Sequence, residues 1–361
     1  MIFPNCFERL RVVPWYRITE IKRRLMQAKN QTKSHQNFMK LHSLFLPTGL
    51  ILASVFSTSI TAMAAPKKVL VVSVTTGFRH SSIPTMNRVI GQLGEESKAF
   101  TVDYIEQPPG KPEDLKRPKP LGPNASEAEK TAFAAAQSKC EAGLPAFKEA
   151  RKAWDQSLKA ALTKLSPDSL KNYDAVIFAN TTGDLPIPDR EGFQAWIKSG
   201  KAFIGLHAAS DTFHGWPDYA QFVGGEFAGH GPQLSVSCIN EDPKHPANKH
   251  FGKTFDIALE EIYQIKNHDR TKERELLSLD KKPVAADPQP GFYPVSWCHT
   301  YGKGKVFYSS LGHREDIIDA DPGLKDRKNP VETSKAYQAH VLGGILWALG
   351  LAPGDATPQS K

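Results

Sequence analysis

The sequence has few cysteines. Of the four in 361 residues, three lie after residue 65, namely Cys140, Cys238 and Cys298. An odd and widely spaced set does not make a disulfide framework, and none of the three has metal-ligand spacing to another. A small disulfide-stabilised domain is therefore excluded. The 297 residues from 65 to 361 are enough to bury one large hydrophobic core.

Beyond its first 65 residues the chain also has almost no net charge. Those residues hold nine of the 46 Lys and Arg and two of the 38 Asp and Glu, which leaves 37 basic and 36 acidic residues. The formal charge of +8 therefore belongs almost wholly to the amino-terminal segment. Without a basic field that attracts phosphates, we expect no nucleic-acid partner.

A long apolar run occurs at residues 44–65. It ends in Ala62-Met63-Ala64, which matches the small-residue pattern of a signal-peptide cleavage site. The alternative is an uncleaved membrane anchor, because the run is long enough to span a bilayer.

Met39 and Lys40 precede this run and supply a translation start and a short positive region. We therefore predict that residues 1–38 are an upstream extension and that 39–64 form a signal peptide cleaved near Ala64. The mature protein would then be periplasmic or secreted, with no stable membrane insertion.

From residue 67 onward, apolar runs of strand length alternate with helical patterns. The run 67–75 is rich in β-branched residues, which is typical of a parallel strand buried on both faces. Later strands follow one another without long helices, which favours a doubly wound α/β sheet with a partly antiparallel extension. The later strands are predicted at 233–239, 261–266, 274–280, 293–299 and 305–310.

Residues 107–170 interrupt this alternation. Their first part is rich in proline and charge, and Ser126 with Glu129 then forms a capping box that opens an Ala-rich helix. We expect Pro145 to break that helix, and a second amphipathic helix to follow with Trp154 as a core contact. The segment is thus predicted to be a helical hairpin inserted into a domain that spans residues 67–350.

The stretch from Ala202 to His214 organises the candidate site. An apolar strand ends in Gly205-Leu206-His207-Ala208-Ala209 and then turns polar. Small neighbours let the chain bend sharply, as in the strand–turn–helix elbow that presents a catalytic nucleophile. His207 stands at the apex, where neither Ser nor Cys is available, so ordinary acyl transfer from this residue is excluded.

Other ionisable residues follow strands in the same way, and the carboxyl ends of parallel strands are where ligands bind in open α/β sheets. Three chemistries are open to them: a divalent metal such as Zn²⁺ with a bound water, metal-free acid–base catalysis, or hydrogen bonding to a polar ligand. The candidate catalytic residues are His207, Asp211, Glu226 and His80, and the candidate metal ligands are His80, His207, His230 and His313.

Aromatic and polar side chains around these loops are candidates for substrate binding. Phe78 and Trp216 offer ring faces for stacking on a sugar, and Arg79, Asp184 and His313 offer hydrogen bonds. Each candidate also has a structural alternative. His80 could cap a helix, His207 could be a core histidine bonded to backbone, and the aromatic rings could belong to the core.

Five motifs in order carry a family resemblance. They are Lys68–Ser73 with Gly77–His80, Asn180–Asp184, Gly205–Asp211, Gly224–His230 and Tyr301–His313. Together they resemble the ThuA-like (trehalose utilisation) family. The resemblance implies the class I glutamine amidotransferase-like fold, a flavodoxin-like three-layer α/β/α sandwich. His207 matches the position of the catalytic Cys of true amidotransferases, so glutaminase activity is not expected.

The resemblance also implies a role in carbohydrate metabolism, through trehalose, related disaccharides or 3-keto-glycosides. With the predicted signal peptide, it points to an exported His-dependent enzyme whose partner is a small-molecule carbohydrate. Hydrolysis, isomerisation and elimination are all compatible with the residues. The alternative is a non-catalytic carbohydrate-binding protein on a degenerate amidotransferase-like fold.

Overall fold

The computed structural model describes residues 65–283 and 289–359. The predicted upstream extension (1–38) and signal peptide (39–64) lie outside these ranges. Within the described residues, no helix is both long and apolar enough to cross a bilayer.

Half of the main sheet is parallel, as the alternating pattern predicts. Its five strands lie side by side in the order β2-β1-β3-β4-β11 and run in one direction. This is the strand order 2-1-3-4-5 of flavodoxin-like folds, with β11 in the fifth place. The strands are β1 (Lys67–Val72), β2 (Phe100–Ile105), β3 (Ala175–Ala179), β4 (Ala202–Leu206) and β11 (Gly304–Ser309).

Four antiparallel strands extend this sheet beyond β11, in the order β10-β9-β6-β7. They are β6 (Leu234–Asn240), β7 (Thr254–Glu260), β9 (Arg274–Lys281) and β10 (Pro290–Tyr301). A separate two-stranded ribbon pairs β5 (Glu226–His230) with β8 (Tyr263–Lys266). The predicted strand 261–266 therefore begins at residue 263, and β7 is a strand that the sequence pattern did not reveal.

Helices cover both faces of the parallel strands and give the three-layer architecture. They are α1 (Ile83–Ser97), α2 (Glu127–Leu162), α3 (Pro167–Leu170), α4 (Arg190–Lys198), α5 (Pro217–Val223), α6 (Glu315–Ile318) and α7 (Val331–Ala348). Strand β1 shows why its sequence is apolar throughout. Val69 and Val71 pack into the core under α1 and α7, whereas Leu70 and Val72 pack into the core under α2 and α4. Each such buried side chain contributes about 1.5–3 kcal/mol.

The predicted helical hairpin is wrong, because α2 is one continuous helix of 36 residues with Pro145 inside it. A proline removes one helical hydrogen bond, but residue 141, which would have accepted it, is exposed and can bond to water. The end of the helix is fixed by burial of Trp154, Leu158 and Leu162 against the sheet. This half of α2 is the crossover between β2 and β3 and belongs to the fold, rather than being an appendage.

Three histidines of the described core are buried and hold no charge at neutral pH. Burial lowers the pKa of His245 and His299 to about 4 and that of His340 to about 3. Each lies in a packed environment; the His340 ring, for example, contacts Phe307.

We predict that acid destabilises the protein between about pH 6.5 and pH 4. The unfolded chain binds protons at these histidines below pH 6.5 and the native state does not, so stability falls as the pH falls. Each histidine removes on the order of 1 kcal/mol per pH unit. Urea unfolding at several pH values measures the slope, and His340→Gln should reduce it. An unchanged free energy of unfolding from pH 7 to pH 5 would contradict this.

Candidate active site

The elbow after β4 is built from a strained residue and small neighbours. His207 begins a 3-10 helix (His207–Asp211) with φ of 47°, in the left-handed region that costs an ordinary residue about 1–2 kcal/mol. Gly205 is required beside it, because a Cβ there would lie 2.8 Å from the Tyr308 ring. The predicted strand-to-helix turn is therefore present, although its helix is of the 3-10 type.

The His207 side chain is fully buried and points inward. Its Nδ1–H donates to the backbone carbonyl of Ser310 over 2.7 Å. The hydroxyl of Tyr308 donates to the backbone carbonyl of His207, also over 2.7 Å. With Nδ1 protonated, Nε2 carries a free lone pair. That Nε2 atom is buried and has no hydrogen-bond partner. The residue thus has the backbone bond of a core histidine and also an unpaired nitrogen.

Two further histidine rings contact it. The ring centroids of His80 and His313 lie 4.7 Å and 5.4 Å from that of His207, and 5.3 Å from each other. Glu261 approaches from the connection between β7 and β8, with Oε1 3.2 Å from Nδ1 of His313. Ligand atoms of these four residues all lie within 4.8 Å of one another. We call them the histidine cluster.

Burial keeps two of the three rings neutral. It lowers the pKa of His80 to about 4, helped by the charge of His313, and it lowers the pKa of His207 well below its ordinary value. For His313, the hydrogen bond and charge of Glu261 outweigh burial and raise the pKa. The same pairing lowers the pKa of Glu261 despite its partial burial.

The cluster suits a divalent cation. Nδ1 of His80 and Nε2 of His207 are buried without a hydrogen bond, and Nδ1 of His313 is buried with the Glu261 carboxylate 3.2 Å away. Neutral imidazole with carboxylate is a typical donor set for Zn²⁺. The bond from His207 to the Ser310 carbonyl is the kind of outer partner that orients a ligating histidine. The four side chains of the cluster therefore leave buried nitrogens unpaired, and a bound divalent metal would satisfy them.

His230, the fourth metal ligand predicted from sequence, is not a member of this group. It pairs with Tyr263 across the β5–β8 ribbon, and its ring is 46% exposed. Its Nδ1 lies 3.1 Å from Oε2 of Glu261, so it touches the cluster only through that carboxylate. Glu261 takes the place that sequence reasoning gave to His230. It was missed because a Glu-Glu pair at a strand end is usually a solvated surface.

Glu260 supports His313 from behind. Its two carboxylate oxygens accept the backbone N–H groups of His313 and Arg314, over 2.8 and 3.3 Å. Complete burial raises the pKa of Glu260 to about 7. The two adjacent acidic residues thus have different roles. Glu261 faces the histidine rings, and Glu260 fixes the loop that carries His313.

Asp211 and Glu226, predicted as catalytic, lie instead on either side of His214. Nε2 of His214 lies 2.7 Å from Asp211 and Nδ1 lies 2.6 Å from Glu226. The two carboxylates raise the pKa of His214 despite its partial burial, so both nitrogens donate. Lys266 of β8 adds a second cation to Glu226 at 2.9 Å. We call His214 with Asp211 and Glu226 the clamp. It connects the β5–β8 ribbon to the elbow, where Tyr263 covers the His207 ring at a centroid distance of 4.3 Å.

The predicted substrate-binding residues are spread over different surroundings. Phe78 is 67% exposed and its ring meets that of His80 edge to face at 4.8 Å. Arg79 donates to the carbonyl of Ser73 and to the side chain of Gln107, so its guanidinium is bound by the segments that follow β1 and β2.

Asp184 and Trp216, which were predicted to bind substrate, do not reach the histidine cluster. Asp184 is exposed and pairs with Arg190 at 3.6 Å. Trp216 is buried in the aromatic core beside Phe213 and Tyr219, with the Arg190 guanidinium 5.1 Å from its ring. It therefore offers no free face to a sugar.

A flavodoxin-like α/β/α sandwich, with histidine at the elbow position of a nucleophile, is the class of protein that this geometry defines. A family model described as "ThuA: Trehalose utilisation" matches residues 128–348, more than half of the chain. The protein therefore belongs to the ThuA family. No curated protein sequence matches the chain.

Two solved structures of ThuA-like proteins are similar to this chain. A putative ThuA-like protein from Parabacteroides merdae is 16% identical with a TM-score of 0.53, and the match covers 81% of this chain and 95% of the other. A putative ThuA-like protein from Bacteroides uniformis is 17% identical with a TM-score of 0.49, and the match covers 79% of this chain and 92% of the other. At these identities the likeness concerns the fold alone.

We predict that His214→Ala loosens the ribbon over the cluster. Amide hydrogen exchange in residues 226–230 and 263–266 should become faster, since the carboxylates of Asp211 and Glu226 lose their shared donor. In the wild type the clamp should be intact below the raised pKa of His214 and weaken as the pH rises through it. The control is His250→Gln, because His250 lies outside the clamp and bonds to the backbone carbonyl of Ala336. Unchanged ribbon exchange would contradict the clamp.

Proposed function

We propose that the protein is an exported enzyme of carbohydrate metabolism that acts on a glycoside or keto-sugar at the histidine cluster. The observation that carries this proposal is the convergence of three imidazole rings, two of them with a buried and unpaired nitrogen, and Glu261 at the carboxyl ends of the strands. An array of buried, unsatisfied polar atoms costs about 1–3 kcal/mol for each group. Such a cost is typical of a functional site rather than of a packed core.

The proposal includes a divalent cation such as Zn²⁺ held by His80, His207, His313 and Glu261. When bound, such a cation polarises an oxygen of the substrate and lowers the pKa of a bound water. A low pKa favours this role for His80 over that of a general base, because a base with a pKa of about 4 takes up protons poorly at neutral pH. Glu261 and His313 then complete the donor set.

The chain's own groups would orient the histidine rings and exclude water from this centre. Tyr263 covers His207 on one side, and the bond to Ser310 fixes which nitrogen faces the cluster. Of the three rings, His313 holds a proton most readily in the absence of a cation, because Glu261 raises its pKa above the ordinary value. A glutaminase reaction is not proposed, since the elbow has no thiol and burial raises the pKa of Cys238 to about 12 and that of Cys298 well above its ordinary value.

Metal content and turnover test the proposal together. The wild type should contain about one equivalent of metal by mass spectrometry and should turn over a member of a panel of disaccharides and 3-keto-glycosides. A chelator should abolish turnover, and the added metal should restore it. His207→Asn removes the ligand while keeping a residue that tolerates the left-handed conformation. We expect it to lose the metal and at least about 100-fold in kcat/KM.

His230→Ala is the matched control, since its ring lies outside the group of ligand atoms. It should retain the metal. Absence of metal from the wild type would overturn the metal site, and full turnover by His207→Asn would overturn His dependence. Sugar binding without turnover of any panel member would make the protein a carbohydrate-binding protein.

Export is proposed from residues 39–64, whose apolar run ends in an A-x-A pattern. We predict a mature amino terminus at Ala65 when the native protein is sequenced from its source. Retention of Met1 or Met39 would contradict export by this signal.

A further inference from the structure

The β5–β8 ribbon covers His207 of the histidine cluster. The Tyr263 ring lies against the His207 ring with centroids 4.3 Å apart, and the Phe227 ring lies against that of Tyr263 at 4.4 Å. Nε2 of His207, the unpaired nitrogen of the elbow, has no contact with solvent. A ligand can therefore reach that nitrogen only after one of the groups packed around it has moved.

The ribbon has little support of its own. It is a separate two-stranded sheet, and among the described residues no ladder of hydrogen bonds joins it to the nine-stranded sheet. Two strands alone are at best marginally stable in water. Ile265 of β8 packs against the main core but is only partly buried. The ribbon therefore depends on side-chain bonds at its ends to stay in place.

The clamp holds one end of the ribbon to the elbow. Both nitrogens of His214 donate, one to Asp211 and one to Glu226, the first residue of β5. Lys266 and Asn267 also bond to Glu226, each over 2.9 Å. A neutral imidazole has one N–H group only, so the clamp keeps both of its bonds only while His214 is protonated.

A second histidine holds the same end of the ribbon to the main sheet. Nδ1 of His268 lies 2.6 Å from the carbonyl oxygen of Gly224, and Nε2 lies 2.8 Å from Oε1 of Glu275 in β9. Both partners are acceptors, so both ring nitrogens donate here as well. We call His268 with Gly224 and Glu275 the second clamp. The other ionisable groups that face this ring or its carboxylate are Glu273, Arg270 and His299.

Both clamps favour a protonated ring. Burial opposes the charge of His214 and of His268, but the bonds to carboxylates outweigh burial and raise the pKa of each. The stability that such a group contributes is present below its ordinary pKa and is lost as the pH rises through the raised pKa. The clamps are therefore closed in acid and weaken as the pH rises above neutrality.

We propose that the β5–β8 ribbon is a lid over the histidine cluster, held shut by the clamp and the second clamp, and that their release gives a ligand access to His207. As a means of regulating the cluster, the lid rests on the proposed function. Its opening requires neither metal nor turnover and can be measured separately.

Labelling of the full chain with diethyl pyrocarbonate, which acylates unprotonated imidazole, measures this opening. Burial lowers the pKa of His207 well below its ordinary value, so its labelling reports access and not protonation. His250, which is exposed and also has a lowered pKa, is the internal reference. We expect labelling of His207 relative to His250 to rise at least about tenfold from about pH 6 to about pH 9.

Two variants test the clamps one at a time. His214→Gln and His268→Gln each remove a donor, so each should raise the relative labelling of His207 already at about pH 6 and reduce its rise with pH. Asp218→Asn, in an exposed residue of α5 outside both clamps, is the matched control and should behave as the wild type. Labelling with and without a chelator separates the lid from a bound cation, which would itself shield His207.

His340 shows whether the whole fold has opened, because it is fully buried in the core and burial lowers its pKa to about 3. It should stay unlabelled while His207 reacts. Labelling of both residues together would mean global unfolding and would overturn the lid. Labelling of His207 that does not change with pH would overturn it as well. The expected opening in a protein without metal or turnover would support the lid and overturn the proposed function.

Discussion

The hydrogen bond from Nδ1 of His207 to the carbonyl of Ser310 is the contact on which the site depends. It joins two residues 103 positions apart, and it exists because β4 and β11 pair in parallel with Leu206 opposite Ser309. The bond selects the tautomer, so Nε2 is left as a lone pair facing the cluster. Strain at φ of 47° is tolerated here because the strand pairing, the bond to Ser310 and the bond from Tyr308 together determine the turn.

The cluster lies where the two halves of the sheet meet. His80, His207 and His313 follow strands of the parallel half, whose carboxyl ends share one edge. Glu261 follows β7, at the far end of the antiparallel extension, and returns to this edge through the connection into β8. The extension therefore supplies the anionic member of the site and, through Glu260, the support of the loop that bears His313. A flavodoxin-like core alone would bring together the histidines without a carboxylate.

Sequence reasoning reached the parallel strands and the three clustered histidines because both follow from local pattern and one rule of topology. Apolar runs identify strands buried on two faces, and residues just after parallel strands must share an edge. Glu261 was out of reach, because strand β7 alternates buried and exposed residues and its pairing with β6 is not encoded locally.

Asp211 and Glu226, predicted as catalytic, lie outside the histidine cluster for the converse reason, since His214 lies three residues after Asp211 and pairs with both carboxylates. Proline 145 shows the same limit, because burial of Trp154 outweighs a local helix breaker.

Burial gives the histidine cluster its chemistry and also leaves imidazole nitrogens without a hydrogen-bond donor. The low dielectric that lowers the pKa of His80 and His207 keeps their nitrogens unprotonated, and unprotonated nitrogens without donors are costly to bury. Protonation does not relieve this cost, because three neighbouring imidazolium rings would repel one another. The proposed cation would bind all three nitrogens and Glu261 at once, so it would stabilise the fold by the same contacts through which it would act on a substrate. Loss of the proposed cation should therefore destabilise the elbow, where the bond to Ser310 and the packing of Tyr263 keep His207 in its strained conformation. The proposed activity and the local stability would in this way both follow from one arrangement of four side chains.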